Sequence, residues 1–250
     1  MRNNKEDVVG RVFPTTGGTD FIVTDYESYS SIIVKFLDKY GYETKTSVDS
    51  AQKGHVNNPY APSLLGRGFS GVGRHKKSIG GKLTPEYRSW SGAMYRCYGE
   101  DIHIRQPTYS GCSVCGDWWN FQEFSDWYVN NKFYGLGYQL DKDILVQGNK
   151  VYSPDTCTLI PKELNCLLTD CGANRGEFPQ GVTFDKRRGR YVSSIRPDNS
   201  TKHLGYYDSA GEAYTVYKIA KELRVKEKAL EWEGRIEDKV FNKLMSWTLD

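Results

Sequence analysis

Residues 138–168 run Tyr138-Gln139-Leu140-Asp141-Lys142-Asp143, then Gly148-Asn149, then Val151-Tyr152-Ser153-Pro154-Asp155-Thr156-Cys157-Thr158-Leu159-Ile160. They close on Pro161-Lys162-Glu163-Leu164-Asn165-Cys166-Leu167-Leu168. The pattern predicts a short strand, a turn-rich loop, a second strand and a helix starting at Pro161, since Gly-Asn punctuates loops and Pro suits a first helical turn. Asp141 then ends the first strand, and Asn165 sits one turn into the helix. Packed together, hairpin and helix bring both side chains to one point. A hard divalent cation prefers such oxygen ligands and is often completed by water and substrate phosphate.

Downstream, Gly181-Val182-Thr183-Phe184-Asp185-Lys186-Arg187-Arg188-Gly189-Arg190-Tyr191-Val192-Ser193-Ser194-Ile195-Arg196 predicts two strands around a basic turn, and Thr201–Tyr207 a third. Ser209-Ala210-Gly211-Glu212 opens a long helix with an S-x-x-E capping box. Because side chains alternate along a strand, Phe184, Tyr191, Ser193, Ile195, Leu204 and Tyr206 should face that helix. Thr183, Asp185, Ser194, Arg196, Thr201 and His203 should face outward, with Arg187 and Arg190 at the turn. A three-stranded sheet of this kind fits the major groove, where Arg can read guanine and short polar side chains reach base edges. Residues 231–247 predict a closing amphipathic helix with Ile236, Val240, Leu244 and Trp247 on one face.

Upstream, Thr84-Pro85-Glu86 marks a helix N-terminus, and Tyr87, Trp90, Met94 and Cys97 recur on one face of the helix that follows. Phe121, Phe124, Trp127 and Tyr128 do the same around 120–128, as core aromatics. In the first segment, Phe21-Ile22-Val23 and Ile32-Ile33-Val34-Lys35-Phe36 are β-branched runs that predict strands. Residues 54–81 are loop-like and rich in Gly, and they carry Arg74-His75-Lys76-Lys77, a basic cluster suited to phosphate contact or to plain solvation. The expected fold is α+β and modular. Residues 1–80 form a β-rich module and basic linker that could contact DNA, 81–176 a hairpin–helix core flanked by helices, and 177–250 a three-stranded sheet with C-terminal helices.

Charge follows the same segments. Residues 1–80 hold 11 basic and 8 acidic side chains (+3), residues 81–176 hold 9 and 11 (−2), and residues 177–250 hold 14 and 12 (+2), summing to the net +3 of the 250-residue chain. Basic ends around a carboxylate-bearing centre suit an enzyme acting on nucleic acid, and ordinary surface variation fits differences this small about equally well. An aromatic share of 14 % excludes a disordered chain. No apolar run reaches membrane-spanning length, and Met1–Asp7 lacks a signal peptide's apolar stretch, so a soluble intracellular protein is expected. Cys112 and Cys115 have C-x-x-C spacing, but no second such pair exists. Buried thiols are therefore expected there, and zinc is not.

Residues 84–168 resemble the ββα-metal, or HNH, nuclease motif in a form common in bacteriophage genomes. The resemblance is carried by Tyr87-x-x-Trp90-x-x-x-Met94-x-Arg96-Cys97-Tyr98, Val114-Cys115-x-x-Trp118-x-x-Phe121-x-x-Phe124, Leu140-Asp141-Lys142-Asp143, Tyr152-Ser153-Pro154-x-x-Cys157 and Asn165. It implies one Mg²⁺ (or Mn²⁺) per chain held by Asp141 and Asn165. Lys142 stands where the family has a water-activating His, and Thr156 where it has the Asn that orients the His. An ordinary Lys has a pKa near ~10.4 and cannot take a proton from water at neutral pH. Lys142 better suits gripping the scissile phosphate, with Asp143 or the metal activating water. Residues 178–222 resemble the ethylene-response-factor type DNA-binding domain, through the Gly-Val opening, the Tyr-x-x-x-Ile-Arg strand and Leu204-Gly205-Tyr206. That likeness implies DNA contacts at or near Arg187, Arg190 and Arg196, and places Ser194, Lys202 and His203 on the same sheet. Residues 1–80 are similar to a strand-rich module that precedes the nuclease core in phage homing proteins, which would add Arg74, Lys76 and Lys77. The implied protein is a phage-encoded, site-specific HNH homing endonuclease acting on double-stranded DNA in the cytoplasm of an infected bacterium. The alternative is a catalytically inactive, nuclease-derived DNA-binding protein, a regulator or host-defence antagonist.

Overall fold

The computed structural model describes residues 5–168, 177–196 and 200–249. It is α+β, with small antiparallel sheets and interleaved helices in two compact units, Met1–Asn130 and Asn131–Asp250.

In the first unit, α1 (Lys5–Val8) precedes β1 (Val12–Pro14), β2 (Asp20–Ser28), β3 (Ser31–Phe36) and β4 (Glu43–Thr46), an antiparallel meander in the order β1-β2-β3-β4. Alternation buries Phe21 and Val23 of β2 against Ile32, Val34 and Phe36 of β3. α2 (Val48–Gln52) is capped by Ser47, whose Oγ accepts from Ser50 N at 3.1 Å, and adds Val48 and Ala51 to that core. The apolar runs predicted as strands are the centres of β2 and β3. β1 (Val12-Phe13-Pro14) is too short for a period to show and β4 is polar, so neither could be read from periodicity.

After the glycine-rich loop come the two-residue strands β5 (Ser78–Ile79) and β6 (Lys82–Leu83), then α3 (Pro85–Tyr98), α4 (Ile102–Arg105), β7 (Ser113–Val114) and α5 (Phe121–Asn130). Thr84 caps α3 with Pro85 at its first position, as its sequence requires. The aromatics of α3 and α5 are core, with Trp90 and Phe121 ring centroids 5.4 Å apart and both side chains fully buried. Trp90 Nε1 donates to the Trp118 carbonyl at 2.7 Å, so this buried ring has no orphaned polar atom.

The second unit holds β8 (Gln139–Asp141), β9 (Val151–Tyr152), β10 (Thr158–Ile160), α6 (Lys162–Leu168), β11 (Val182–Asp185), β12 (Arg190–Ile195), β13 (Lys202–Tyr207), α7 (Ala210–Glu231) and α8 (Asp238–Met245). β8 and β10 pair antiparallel, with Asp141 opposite Thr158. β11-β12-β13 form an antiparallel sheet covered on one face by α7. Ser209 caps α7, its Oγ accepting from Glu212 N at 3.1 Å. At 1.5 Å per residue, the 22 residues of α7 reach about 33 Å. Its first half lies on the sheet through Ala213 and Tyr217. Its second half shares a core with the hairpin–helix segment, where Val225 and Ala229 join Ile160, Leu164, Ile236, Val240 and Leu244. Lys228 of α7 bridges Glu231 at 2.6 Å and Glu163 of α6, and the hydrogen bonds it donates to Glu163, then Glu231, raise its pKa. The closing helix is shorter than predicted: Gly234 turns the chain at φ +71° between α7 and α8, and Ile236 and Trp247 flank α8 rather than lie in it. This one core draws on residues from both sides of position 177, so the compact units do not coincide with the three segments marked by composition.

Gly181 sits at φ +76°, and a Cβ there would lie 2.0 Å from Tyr217 Cδ2. Gly181→Ala should therefore destabilise the second unit by about 2–5 kcal/mol, combining ~1–2 of backbone strain with ~1–3 of overpacking. Urea denaturation followed by circular dichroism measures this, and an unchanged midpoint would contradict the close approach of α7 to β11.

Candidate metal centre and nucleic-acid interface

Asp141 ends β8 and Asn165 lies one turn into α6, where the sequence pattern puts them. Asn165 Nδ2 donates to Gln139 Oε1 at 3.0 Å. Gln139 and Asp141 are two residues apart on one strand, so they share a face and Asn165 approaches the face that carries Asp141. Asp141 Oδ1 accepts the backbone N–H groups of Asp143 at 2.9 Å and Ile144 at 2.7 Å, which folds the chain back beyond the strand. Burial pushes its carboxyl above the ordinary range. The Ile144 N–H offsets part of that rise and the Asp143 charge adds to it.

Lys142 turns inward. Its side chain is 6 % exposed, and Nζ donates to Asp143 Oδ1 at 2.6 Å and to the Asn149 carbonyl at 2.8 Å. Asn149 closes the loop from the other side, donating through Nδ2 to the carbonyls of Lys142 at 2.8 Å and Val151 at 2.7 Å. Thr156 Oγ1 adds a bond to the Val151 carbonyl at 2.7 Å. A buried ammonium without partners would be costly, and here the partners are loop atoms, so the geometry uses Lys142 to hold the loop rather than to present a charge to solvent. Asp143 remains about half exposed beside it. Asp141 and Asn165 offer hard oxygen donors, which fit Mg²⁺ or Mn²⁺ in kind. Among the described residues no group of three or more His, Cys, Asp or Glu converges on a cation position, so water and phosphate oxygens would have to complete such a site.

The sheet is built by register. Val182 pairs with Ser193 and Phe184 with Tyr191, and the ring centroids of the second pair lie 5.0 Å apart on the α7 side. Thr183 pairs with Val192, and Asp185 with Arg190, on the outer side. Between β12 and β13 the register slips at Ser193/Ser194: Val192 faces Tyr206 and Ser193 faces Gly205, but Ser194 faces His203. Leu204 is the extra residue, and the bulge inverts the parity of the strand at that point. Tyr206, predicted to face the helix, is therefore on the outer face, where its ring centroid is 4.7 Å from that of His203. Lys202, opposite Ile195, falls on the α7 side of this edge strand, though it stays exposed. Ser194 and His203 are outward as predicted.

The basic turn is partly spent within the sheet. Arg190 pairs with Asp208 at 2.9 Å, and Arg188 lies over the Tyr206 ring at 4.5 Å with Asp185 at 3.6 Å. Arg187 and Arg196 are exposed, and Arg187 has no ion-pair partner among the described residues. The outward position of Tyr206 is what strict alternation misses, and only the bulge at Leu204-Gly205 could have announced it.

In the first unit, Arg74 Nη2 and His75 Nε2 converge on Asp126 Oδ1 at 2.6 and 2.9 Å. These bonds, His75 first and Arg74 second, hold the Asp126 carboxyl below its usual range. Lys76 is exposed, and Lys77 Nζ lies 5.8 Å from the Tyr87 ring centroid. Neither Cys112, which is buried, nor Cys115, which is half-buried, is in a disulfide. No helix among the described residues is long and apolar enough to cross a membrane. Comparison with family models, curated proteins and solved structures found no match.

Because folding raises the Asp141 pKa, the native state binds this proton more tightly than the unfolded chain. The stability it contributes is complete below the unfolded pKa and is lost as pH rises through the folded one. Asp141→Asn keeps an oxygen for the Asp143 and Ile144 N–H groups and removes the charge. The variant should melt higher than the parent at pH 7, with the gain vanishing as pH falls below the ordinary carboxylate range. Melting curves across that span check it, and a pH-independent difference would contradict the burial of the Asp141 charge.

Proposed function

We propose that the chain is a site-specific double-stranded DNA-binding protein that reads the major groove with the outer face of β11-β12-β13. The observation that carries this is the bulge at Ser193/Ser194, which gathers Ser194, His203 and Tyr206 on the side opposite α7, below the Arg187–Arg190 turn. A sheet covered on one side by a helix has one face left for a ligand. On this one, short polar and ring side chains are flanked by guanidinium groups, a combination that suits base edges and phosphates together. Arg187, Arg190 and Arg196 fall near the contact positions of the ethylene-response-factor type domain that the segment resembles. Asp185 and Asp208 already occupy part of the Arg188 and Arg190 charge, so Arg187 and Arg196 would carry the larger share of phosphate attraction.

A second reading, HNH-type endonuclease activity, is favoured by Asp141. Its carboxyl is half-buried at a strand end, on the strand face that Asn165 approaches, and partial desolvation raises the cost of its charge. A divalent cation held there would offset that charge, polarise the scissile phosphate and lower the pKa of a bound water. Asp141 and Asn165 would hold the cation, and Asp143, oriented by Lys142, is the carboxylate placed to receive a proton. Lys142 itself is committed to the loop, so no base equivalent to the family's His stands beside Asp141. Phage origin, homing and residence in an infected bacterial cytoplasm belong to the same proposal.

A 40-bp duplex recovered by selection from a randomised library tests both readings. Arg187→Ala should cost about 1–3 kcal/mol of binding at low salt, and the parent's affinity should fall steeply with salt through counterion release. Asp141→Ala should leave binding in place and abolish any Mg²⁺- or Mn²⁺-dependent cleavage. A bound duplex left uncut by the parent in both metals would leave the binding protein and remove the nuclease. Absent or salt-independent binding would overturn the DNA assignment.

A further inference from the structure

β5 and β6 form a hairpin of four strand residues, with Ser78 opposite Leu83 and Ile79 opposite Lys82. Its turn is Gly80-Gly81 at φ +56° and +74°, the double left-handed conformation that a two-residue hairpin of this kind requires. A Cβ at either glycine would touch nothing within 4 Å, so the tip stands clear of the rest of the protein. All six residues from Ser78 to Leu83 are exposed, and Ile79 is 68 % so, an unusual position for a β-branched side chain in a strand. The base of the hairpin is held firmly. Thr84 is 5 % exposed: its Oγ1 donates to the Lys76 carbonyl at 3.0 Å, and its N–H donates to the Lys77 carbonyl at 3.1 Å. Arg88 Nη2 donates to the Leu83 carbonyl at 3.1 Å, and Gln122 Oε1 accepts from His75 N at 2.9 Å. A rigid root thus carries a bare apolar tip.

The charge around it is mostly positive, with Arg74 already paired to Asp126 and the lysines left to face outward. Residues 74–88 contain Arg74, Lys76, Lys77, Lys82 and Arg88 against Glu86 alone, and Glu86 is buried. Cross-strand partners share a face, so Lys82 projects beside Ile79. An exposed apolar side chain with Lys82 beside it and Lys76 and Lys77 at its root, on the narrowest end a hairpin can have, matches a polyanion that also offers an apolar interior between stacked planes.

We infer that the β5–β6 hairpin is a wedge that inserts Ile79 between base pairs of duplex DNA from the minor groove while Lys76, Lys77 and Lys82 neutralise the flanking phosphates. Wedges of this sort unstack a step at a cost of a few kcal/mol and bend the duplex toward the major groove, and the bend repays the cost by bringing more protein against DNA. The glycine tip matters because any side chain there would hold Ile79 away from the groove floor. This rests on the DNA-binding reading but on different residues from the β11–β13 sheet, so the two can fail separately.

The test uses the full chain and the selected 40-bp duplex, labelled at both ends for energy transfer and probed with permanganate, which oxidises unstacked thymines. The parent should create a permanganate-reactive step and shorten the end-to-end distance. Ile79→Ala should return both signals to those of the free duplex, and Ile79→Phe should keep them. Ile104→Ala, also an exposed apolar residue of this unit but outside the hairpin, should change neither. Each of Lys76→Ala, Lys77→Ala and Lys82→Ala should lower the salt slope of binding by about one. Binding by the parent with no reactive step, or with a step that survives Ile79→Ala, would overturn the wedge while leaving the DNA reading intact. No binding to duplex would overturn both. Sedimentation of the parent with phosphatidylserine vesicles but not with duplex would assign the tip to a lipid surface and overturn the wedge.

Discussion

One helix fixes the geometry of the second unit. α7 lies on β11-β12-β13 with its first half and enters the core beneath β8, β10 and α6 with its second. The contact of Tyr217 over Gly181 commits one face of the sheet to packing, and the Lys228 bridge to Glu163 ties α6 to the same rod. An α-helix bends little over this length, since each backbone hydrogen bond stiffens the next turn. The candidate metal ligands and the candidate DNA-reading face are therefore held at a set separation. They are two ends of one rigid element rather than two modules on a linker, and a sheet docked on a duplex would deliver Asp141 to one place along it.

Given that constraint, the bulge at Leu204 decides what the free face contains. Without it, β13 would keep strict alternation and His203 and Tyr206 would point to opposite sides. With it, the two rings meet at 4.7 Å and Arg188 lies over Tyr206. The same face also holds its own acids, Asp185 and Asp208. Internal pairing of this kind lowers non-specific attraction to phosphate and leaves discrimination to the few groups not already paired, which suits a protein that must select one site among many.

Much of this was legible in the sequence, and for identifiable reasons. The Ser209 and Thr84 caps, Pro85, and the apolar periodicity of α3, α5 and α7 are local signals, and each element appears where its signal lies. Asp141 at a strand end and Asn165 one turn into α6 follow from turn residues and helix period alone. What escaped was set by tertiary context. β1 is only three residues long and β4 is polar. The position of Tyr206 depends on a register slip that no period-2 pattern encodes. The inward turn of Lys142 is decided by Asp143 and the Asn149 carbonyl, partners that the sequence does not announce. The shared core across residue 177 could not be read because the shift in charge there is real but follows no boundary in packing.

The central claim is that duplex DNA lies against the outer face of the β11–β13 sheet. Photo-crosslinking tests it most directly, with the full chain bound to a selected duplex that carries 5-iododeoxyuridine in place of thymine and adducts mapped by mass spectrometry. The account predicts adducts on Tyr206 and His203. Adducts confined to peptides that do not include β12 or β13, from a duplex that binds with full affinity, would contradict it.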